Sequence, residues 1–135
     1  MTGNKKRISV VGAILLQSGK ILAAQRGYGD YAGWWEFPGG KVEPGEEPEA
    51  ALKREIKEEL DAEIRIDRYF ETTEYDYGDF YLSMRCYLCT LAPGEEVSLL
   101  EHLSAKWVGR DEVHTLKWLA ADIPVIESLQ RQDII

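Results

Sequence analysis

Hydrophobic and polar residues along the chain follow patterns that predict mainly strands. Runs rich in β-branched and aromatic residues, typical of strands, occupy residues 8–16, 21–26, 35–37, 64–75, 80–91 and 104–109. Ser18-Gly19 separates the first two runs and Gly78-Asp79 separates the two longest ones, so both pairs are predicted to form hairpins. The glycine- and proline-rich stretches 27–34 and 38–47 are predicted to be loops.

Helical signals occur in three places. Residues 48–60 combine Pro48 in the first turn with good helix formers, and residues 110–116 indicate a short helix. A closing helix is expected over residues 122–132, with Asp122 as its cap and Pro124 in its first turn. Because the main helix lies between hairpins, the expected fold class is α/β, an α/β/α sandwich in which helices cover both faces of a mixed central sheet.

The predicted helix 48–60 carries two adjacent stripes of side chains. Leu52, Ile56 and Leu60 form an apolar stripe, as their spacing on a helix requires. Beside it lies an acidic stripe made of Glu55, Glu58 and Glu59. Like charges at these spacings repel, and more strongly at the edge of a core. Either salt bridges to Lys and Arg compensate them, or a divalent cation such as Mg²⁺ or Mn²⁺ binds there.

Composition narrows the possible partners. The 135 residues suit one domain, 1–135, and contain no repeat or linker. A net charge of −8 argues against binding a nucleic acid polymer, although a divalent cation would allow an acidic protein to bind a polyphosphate. No stretch is long enough to span a membrane, so a cytoplasmic location without membrane partners is expected. The basic start and apolar run of residues 5–16 leave a short signal peptide as an alternative to a first strand.

The two cysteines form a C-x-x-C sequence within the predicted strand 80–91. Residues three apart on a strand point to opposite faces of the sheet. Cys86 and Cys89 are therefore poorly placed to share a disulfide or a metal, and we expect both to be partly buried strand residues.

From Gly40 the chain reads GKVEPGEEPEAALKREIKEELDA. This stretch resembles the Nudix hydrolase motif, in which Gly, five residues, Glu and seven residues precede Arg-Glu-hydrophobic-x-Glu-Glu. The matching positions are Gly40, Glu46, Arg54, Glu55, Ile56, Glu58 and Glu59. The terminal glycine of the motif is replaced by Asp61, at the expected left-handed end of the helix, which implies a small loss of stability.

The resemblance implies the Nudix fold with its loop-helix-loop motif and a hydrolase that uses Mg²⁺, with Mn²⁺ as a possible substitute. The implied metal ligands are Glu55, Glu58 and Glu59, with the backbone carbonyl of Gly39 or Gly40. Arg54 and Glu46 would orient these carboxylates. Water on the metal would attack phosphorus. The implied catalytic group consists of Glu55, Glu58, Arg54 and Glu101.

Further stretches, ILAAQR, WEFPGGKVEPGE and ADIPVI, look like the MutT and CTP pyrophosphohydrolase branch. That branch converts a nucleoside triphosphate to a monophosphate and pyrophosphate, with substrates such as CTP, dCTP, 5-methyl-dCTP or 8-oxo-dGTP. The resemblance makes Arg26 a phosphate- or sugar-contacting residue, its alternative being a surface arginine. It makes Glu101 an additional metal-binding or water-activating residue, and the alternative is an ordinary loop carboxylate. The neighbouring His102 is interpreted as a bystander rather than a base.

Asp122 occupies the position at which MutT-like enzymes read the base with asparagine. An ionised carboxylate only accepts hydrogen bonds, which favours cytosine or guanine over uracil. Its alternative is a plain helix cap. Trp35 and Phe37 are candidates to stack on the base, as are Tyr28, Trp34 and Phe80. The alternative for each is core or loop packing, and Trp35 and Phe37 alternate with Glu36 as strand residues do.

Other functions remain open at this point. Hydrolysis of ADP-ribose or a nucleotide-sugar is disfavoured by the lack of proline between Pro48 and Pro93, whereas Tyr75 and Tyr77 keep dinucleoside polyphosphates possible. A non-catalytic nucleotide-sensing module is the alternative of another class. The expected partner is a small-molecule nucleotide. The protein itself is expected to be a monomer or a homodimer.

Overall fold

A computed structural model describes residues 5–135 and contains seven strands in one mixed sheet. The strands are β1 (Lys6–Gln17), β2 (Lys20–Gln25), β3 (Trp35–Glu36), β4 (Gly39–Lys41), β5 (Ile64–Asp76), β6 (Phe80–Leu91) and β7 (Ser104–Val108). The helices are α1 (Pro48–Leu60) and α2 (Ile123–Arg131), and two short 3₁₀ turns occupy Val113–Thr115 and Ala120–Asp122. No helix in the described part of the chain is both long and apolar enough to cross a membrane.

Strand β1 is the centre of the sheet and changes partners along its length. It runs parallel to β6 from Lys6 to Leu15. On its other side it pairs antiparallel with β4 around Val11 and then with β2 at Leu16 and Gln17. Strands β3 and β7 pair with β2, and β5 pairs with β6. The change of partner brings the ends of β2, β3 and β4 together on one side of β1.

Two apolar cores cover the two faces of the sheet. Alternate residues of β1 enter different cores, as Ile14 and Leu15 show. Helix α1 packs into one core through Leu52 and Ile56, and α2 packs into the other through Leu129. This arrangement confirms the predicted α/β class with a mixed sheet between helices, and both predicted hairpins form.

The two cysteines lie on opposite faces of β6, as expected from their spacing. Cys86 belongs to the core under α2, and Cys89 belongs to the core under α1. Both are fully buried free thiols rather than partly buried ones. Burial raises the pKa of Cys86 well above its usual range and that of Cys89 to about 12, so both are expected to stay neutral.

Three local predictions differ from the structure. The expected loop 38–47 contains strand β4, because pairing with β1 overrides the weak strand propensity of Gly39-Gly40. The expected helix 110–116 is reduced to the 3₁₀ turn Val113–Thr115. Asp122 occupies the N-cap position of α2 as predicted, but its side chain makes no capping hydrogen bond. The run that resembled a signal peptide forms β1.

Helix α1 has the predicted bounds and ends in the predicted left-handed residue. Asp61 has φ 49° and ψ 44°, and its N–H donates to the carbonyl of Lys57 at 3.1 Å. Its carboxylate also lies 3.3 Å from the Lys57 ammonium. An exposed ion pair of this kind contributes little, whereas the left-handed conformation is costly for any residue with a Cβ atom.

We therefore expect Asp61→Gly to raise the free energy of unfolding by up to about 1 kcal/mol, since glycine adopts the left-handed conformation without steric cost. Asp61→Ala is the matched control, because it removes the same ion pair and keeps the Cβ atom. Urea unfolding of the three proteins measures the effect. A glycine variant no more stable than the alanine variant would contradict the assignment of strain to this residue.

Candidate active site

The three carboxylates of α1 lie in three different environments. Glu59 is 8% exposed, the side chain of Glu55 is 15% exposed, and that of Glu58 is 54% exposed. The difference follows from their positions around the helix, because Glu59 is nearest the apolar stripe and Glu58 is farthest from the core. A buried carboxylate needs a nearby hydrogen-bond donor or cation more than an exposed one does, so Glu59 depends most on such a partner and Glu58 least.

Arg54 partly compensates this acidic stripe. Its guanidinium donates to Glu46 at 2.8 and 2.9 Å and to Glu55 at 2.9 Å. Glu58 lies 3.4 Å from the same guanidinium. The hydrogen bonds from Arg54 lower the pKa of Glu46 to about 2, so this ion pair stays charged at every moderate pH. These contacts match the predicted orienting positions of Arg54 and Glu46.

Glu59 faces away from Arg54 and lacks a cationic partner among residues 5–135. Its Oε1 accepts a hydrogen bond from the N–H of Gly39 at 3.2 Å. Burial first, and the neighbouring Glu55 second, raise the pKa of Glu59 to about 9. A buried acid with a raised pKa and a negative neighbour is the electrostatic setting that a bound cation would relieve.

Two glycines allow β4 to approach this acidic group. A Cβ atom on Gly40 would collide with the carboxylate of Glu55, and one on Gly39 would overlap the carbonyl of Val11. Position 39 therefore accepts only glycine, because the clash is with backbone, whereas a larger residue at position 40 would displace the Glu55 carboxylate. The backbone of the predicted motif start thus contacts the predicted ligands directly.

These donors fit Mg²⁺ or Mn²⁺ chemically, since carboxylate and carbonyl oxygens are the ligands that these ions prefer. No three acidic, His or Cys side chains within residues 5–135 are already grouped in a metal-binding geometry. The reason is visible in the contacts, because Arg54 holds Glu55 and Glu58 while Glu59 turns to Gly39. The predicted ligands are therefore neighbours, but their carboxylates are not gathered around one common metal position.

A cavity of about 740 Å³ begins at this acidic group and runs toward the start of α2. It lies where β1 changes partners, and residues from four strands (β1, β3, β4 and β6), from α1 and from the connecting loops reach it. Its acidic end is formed by Glu55, Glu58, Glu59 and Glu101. Its opposite end is formed mainly by aromatic and apolar residues together with Asp122: Tyr31, Phe37, Tyr77, Phe80, Leu82, Met84, Leu119 and Ala121. Such a shape suits a ligand with one anionic and one flat apolar end.

Between the two ends lies a small polar group centred on Glu36. Its two carboxylate oxygens contact Arg26 Nε at 3.1 Å and His102 Nε2 at 3.1 Å. Arg26 also lies over the ring of Tyr28, with its guanidinium carbon 5.2 Å from the ring centroid. Arg26 thus lines the cavity as predicted, but it is already paired. Sequence patterns did not single out Glu36, because it reads as an alternate residue of a short strand.

Asp122 is buried beside the aromatic end, and its Oδ2 has no hydrogen-bond partner among the described residues. Burial first and Glu36 second raise the pKa of Asp122 well above its usual range, while the Phe37 amide and Arg26 oppose the shift. The neutral form is thus favoured, and a neutral carboxyl both donates and accepts. Burial therefore acts against the acceptor-only Asp122 that the sequence suggests, and the preference for cytosine or guanine over uracil stays a prediction.

The aromatic candidates divide into cavity and core residues. Trp35 is buried in the core under α2 and does not line the cavity, so its interpretation as a stacking residue is wrong. Its place on β3 turns it toward that core, opposite to Glu36. Phe37 lines the cavity while packing on Trp118. Tyr28 and Phe80 also line it, whereas Trp34 does not.

Tyr31 and Tyr77 are cavity residues that the sequence patterns did not identify as base contacts. Tyr77 stacks on Phe80, with ring centroids 5.2 Å apart, and its hydroxyl accepts a hydrogen bond from the N–H of Ala121 at 3.2 Å. Tyr31 meets Tyr77 edge to face at 5.7 Å. Both residues lie in turns, where side-chain periodicity gives no signal.

Comparisons with known proteins agree with this geometry. The family model described as NUDIX domain matches residues 5–129. The CTP pyrophosphohydrolase of Escherichia coli (strain K12) is 36% identical over 124 residues, 91% of each chain. The 8-oxo-dGTP diphosphatase of the same strain is 31% identical over 128 residues, 94% of this chain and 98% of that protein.

Solved structures show the same fold. The solution structure of the E. coli ORF135 protein superposes with a TM-score of 0.82 at 34% identity, covering 98% of this chain and 95% of that one. The MutT protein (family Nudix hydrolase) of methicillin-resistant Staphylococcus aureus 252 gives 0.76 at 39% identity, covering 95% and 98%. The resemblance seen in the motif is confirmed.

The raised pKa of Glu59 predicts a pH-dependent stability of the metal-free protein. Between its ordinary value of 4.5 and about 9, Glu59 is ionised in the unfolded chain and protonated in the folded one. The free energy of unfolding should then fall as pH rises, by up to about 1.4 kcal/mol per pH unit for one proton. The raised pKa of Asp122 also makes the free energy of unfolding fall as pH rises. The lowered pKa of Glu46 affects stability only below its ordinary value of 4.5, outside this pH range.

Urea unfolding in the presence of a chelator, compared between about pH 6 and about pH 9, measures this slope. Glu59→Gln should make the slope shallower by about one proton, because the amide cannot ionise. Equal slopes for the two proteins would show that Glu59 is ionised in the folded state.

Proposed function

The chain belongs to the NUDIX family and is a nucleotide pyrophosphohydrolase, and on this premise we propose that it uses Mg²⁺ to cleave nucleoside triphosphates to monophosphates and pyrophosphate. The observation that carries the proposal is the cavity itself. It joins the motif carboxylates at one end to the unpartnered carboxyl of Asp122 and an aromatic wall at the other. A nucleoside triphosphate has the matching order of anionic chain, sugar and flat base.

Each residue of the acidic end has a proposed role. A bound Mg²⁺ would neutralise phosphate charge and lower the pKa of the attacking water. Glu55, Glu58, Glu59 and the carbonyl of Gly40 or Gly39 would hold it, with Glu101 as a further ligand or water-activating group. Glu59 would release its proton on metal binding, since a cation favours the ionised form. Mn²⁺ is expected to substitute, because it accepts the same oxygen ligands.

Arg54 would be a positioning residue in this scheme. Its contact with Glu55 restrains a carboxylate that must otherwise choose among several rotamers, and its pair with Glu46 fixes the loop before α1. Arg26 would contact the sugar or phosphates from the middle of the cavity, where Glu36 holds its guanidinium. The reaction needs no covalent intermediate on the protein.

The proposed substrates are (d)CTP-type pyrimidine nucleotides, including 5-methyl-dCTP, or oxidised guanine nucleotides such as 8-oxo-dGTP. The names of the two E. coli relatives support both classes. Asp122, Phe37 and Phe80 would receive the base, the last two by contact with its faces or edges. We further propose that residues 1–135 form one Nudix domain acting in the cytoplasm, as a monomer or a homodimer.

Of the alternative functions, one has support from the cavity and one does not. Tyr77 lines the cavity, which keeps a second nucleoside of a dinucleoside polyphosphate, or an ADP-ribose-like substrate, in consideration. A non-catalytic sensing module is less well supported, because all the acidic motif residues are present and adjacent. A pyrophosphate-release assay over CTP, dCTP, 5-methyl-dCTP, 8-oxo-dGTP, ADP-ribose and diadenosine polyphosphates separates these classes.

Glu58→Gln should lower kcat about a hundredfold or more while leaving stability nearly unchanged, since the side chain is largely exposed. The control is Glu63→Gln, which alters an equally exposed carboxylate outside the motif. Steady-state pyrophosphate release at saturating Mg²⁺ measures both. Activity of Glu58→Gln close to that of the control would remove Glu58 from the catalytic group.

Asp122→Asn should change the ranking of bases by about tenfold without abolishing turnover, because it replaces a buried carboxyl by an amide of the same shape. The measured quantity is kcat/KM over the same nucleotide panel, with kcat on the preferred substrate as the control. An unchanged ranking would show that Asp122 does not read the base.

A further inference from the structure

The segment 97–103 carries Glu101 past the acidic end of the cavity. Its first residue, Val97, packs against the core under α1, but around Glu101 the pattern of burial is the reverse of the usual one. Its three leucines are largely exposed: Leu99, Leu100 and Leu103. The side chain of His102, in contrast, is only 6% exposed. Apolar side chains are normally the buried anchors of a loop, and polar ones normally stay in water. In this part of the segment the buried anchor is a histidine, which requires a polar partner.

That partner is Glu36. His102 Nε2 lies 3.1 Å from one carboxylate oxygen of Glu36, and Arg26 Nε donates to the other at 3.1 Å. Because a carboxylate paired with arginine can only accept, the hydrogen of this contact belongs to Nε2. The other ring nitrogen, Nδ1, has no hydrogen-bond partner among residues 5–135. Glu36 is therefore the only polar contact that orients the ring in the described part of the chain.

Backbone contacts hold the segment on both sides of Glu101 but do not hold Glu101 itself. The N–H of Leu100 donates to the carbonyl of Glu59 at 3.0 Å, and the N–H of Leu103 donates to the carbonyl of Gln25 at 3.0 Å. Glu101 lies between these anchors, is exposed, and lines the cavity next to the motif carboxylates. The next residue along the chain, His102, is the buried side chain nearest to it in sequence.

We propose that His102 is a positioning residue, which through its hydrogen bond to Glu36 aims Glu101 at the metal-binding carboxylates. The inference rests on the proposed function, in which Glu101 binds the metal or activates water. His102 neither touches the reacting atoms nor acts as a base in this assignment. It links β3 to the loop, so that the group holding Arg26 also places the last acidic residue of the site.

A pair of substitutions separates the hydrogen bond from the bulk of the ring. His102→Gln places an amide N–H₂ near the position of Nε2 and can still donate to Glu36, whereas His102→Leu cannot. We expect His102→Leu to lower kcat roughly ten- to a hundredfold and to weaken Mn²⁺ binding, with little change in the KM for the nucleotide. His102→Gln should recover most of both. The other histidine, exposed His114, provides the control His114→Leu.

A double-mutant cycle with Glu101→Gln tests whether His102 acts through Glu101. If it does, His102→Leu should cause no further loss once Glu101 has been replaced. Two outcomes would overturn the assignment. One is a double variant in which the two losses in kcat multiply, and the other is a His102→Leu variant that is as active as the wild-type protein. Urea unfolding checks each fold, and His102→Asn, which is too short to reach Glu36, replaces the leucine variant if that variant does not fold.

The outcomes for His102 and for the proposed function are distinguishable. If Glu101→Gln keeps full activity and full Mn²⁺ affinity, His102 has nothing to position and the inference fails while the hydrolase remains. If the wild-type protein releases no pyrophosphate from any nucleotide of the panel, the proposed reaction fails. Mn²⁺ titrations of the same variants then decide the role of His102 alone.

Discussion

Arg54 pairs with Glu46 and Glu55, and the acidic end of the cavity depends on these contacts. Without a cation at this point, the carboxylates of α1 would repel one another beside an apolar core, where charge is poorly screened. Arg54 offsets part of that repulsion and joins the loop before α1 to the helix. It leaves Glu59 uncompensated, and burial keeps that carboxyl protonated. A divalent cation bound here would offset the remaining repulsion and favour the ionised form of Glu59.

The position of the cavity follows from the behaviour of one strand. β1 leaves β4 and joins β2 within a few residues, and this exchange places β3, β4 and the end of β2 around a shared opening. Gly39 is needed where β4 meets the backbone of β1, and Gly40 lets β4 approach α1 without displacing the Glu55 carboxylate. The weak sheet-forming residues of β4 are therefore the ones that the site requires.

The charge of the Glu36 carboxylate influences groups at both ends of the cavity. Glu36 holds Arg26 and His102 and, by its own charge, helps to raise the pKa values of Glu59 and Asp122. One carboxylate on a two-residue strand thereby acts on the acidic end, the middle and the aromatic end of the cavity. Burial and this neighbouring charge together raise the pKa values of two acids within one cavity, Glu59 and Asp122.

The sequence by itself determined the elements whose signals are local. Helix α1, both hairpins, the left-handed Asp61 and the acidic motif residues were predictable, because helix periodicity, turn residues and motif spacing are properties of neighbouring positions. Only the tertiary structure decided the rest. It showed that Trp35 belongs to the core, that Asp122 is buried at the start of α2 without a capping hydrogen bond from its side chain, and that Glu36 and His102 meet across 66 positions of the chain. Burial and pairing between distant residues set those properties, and no local pattern encodes them.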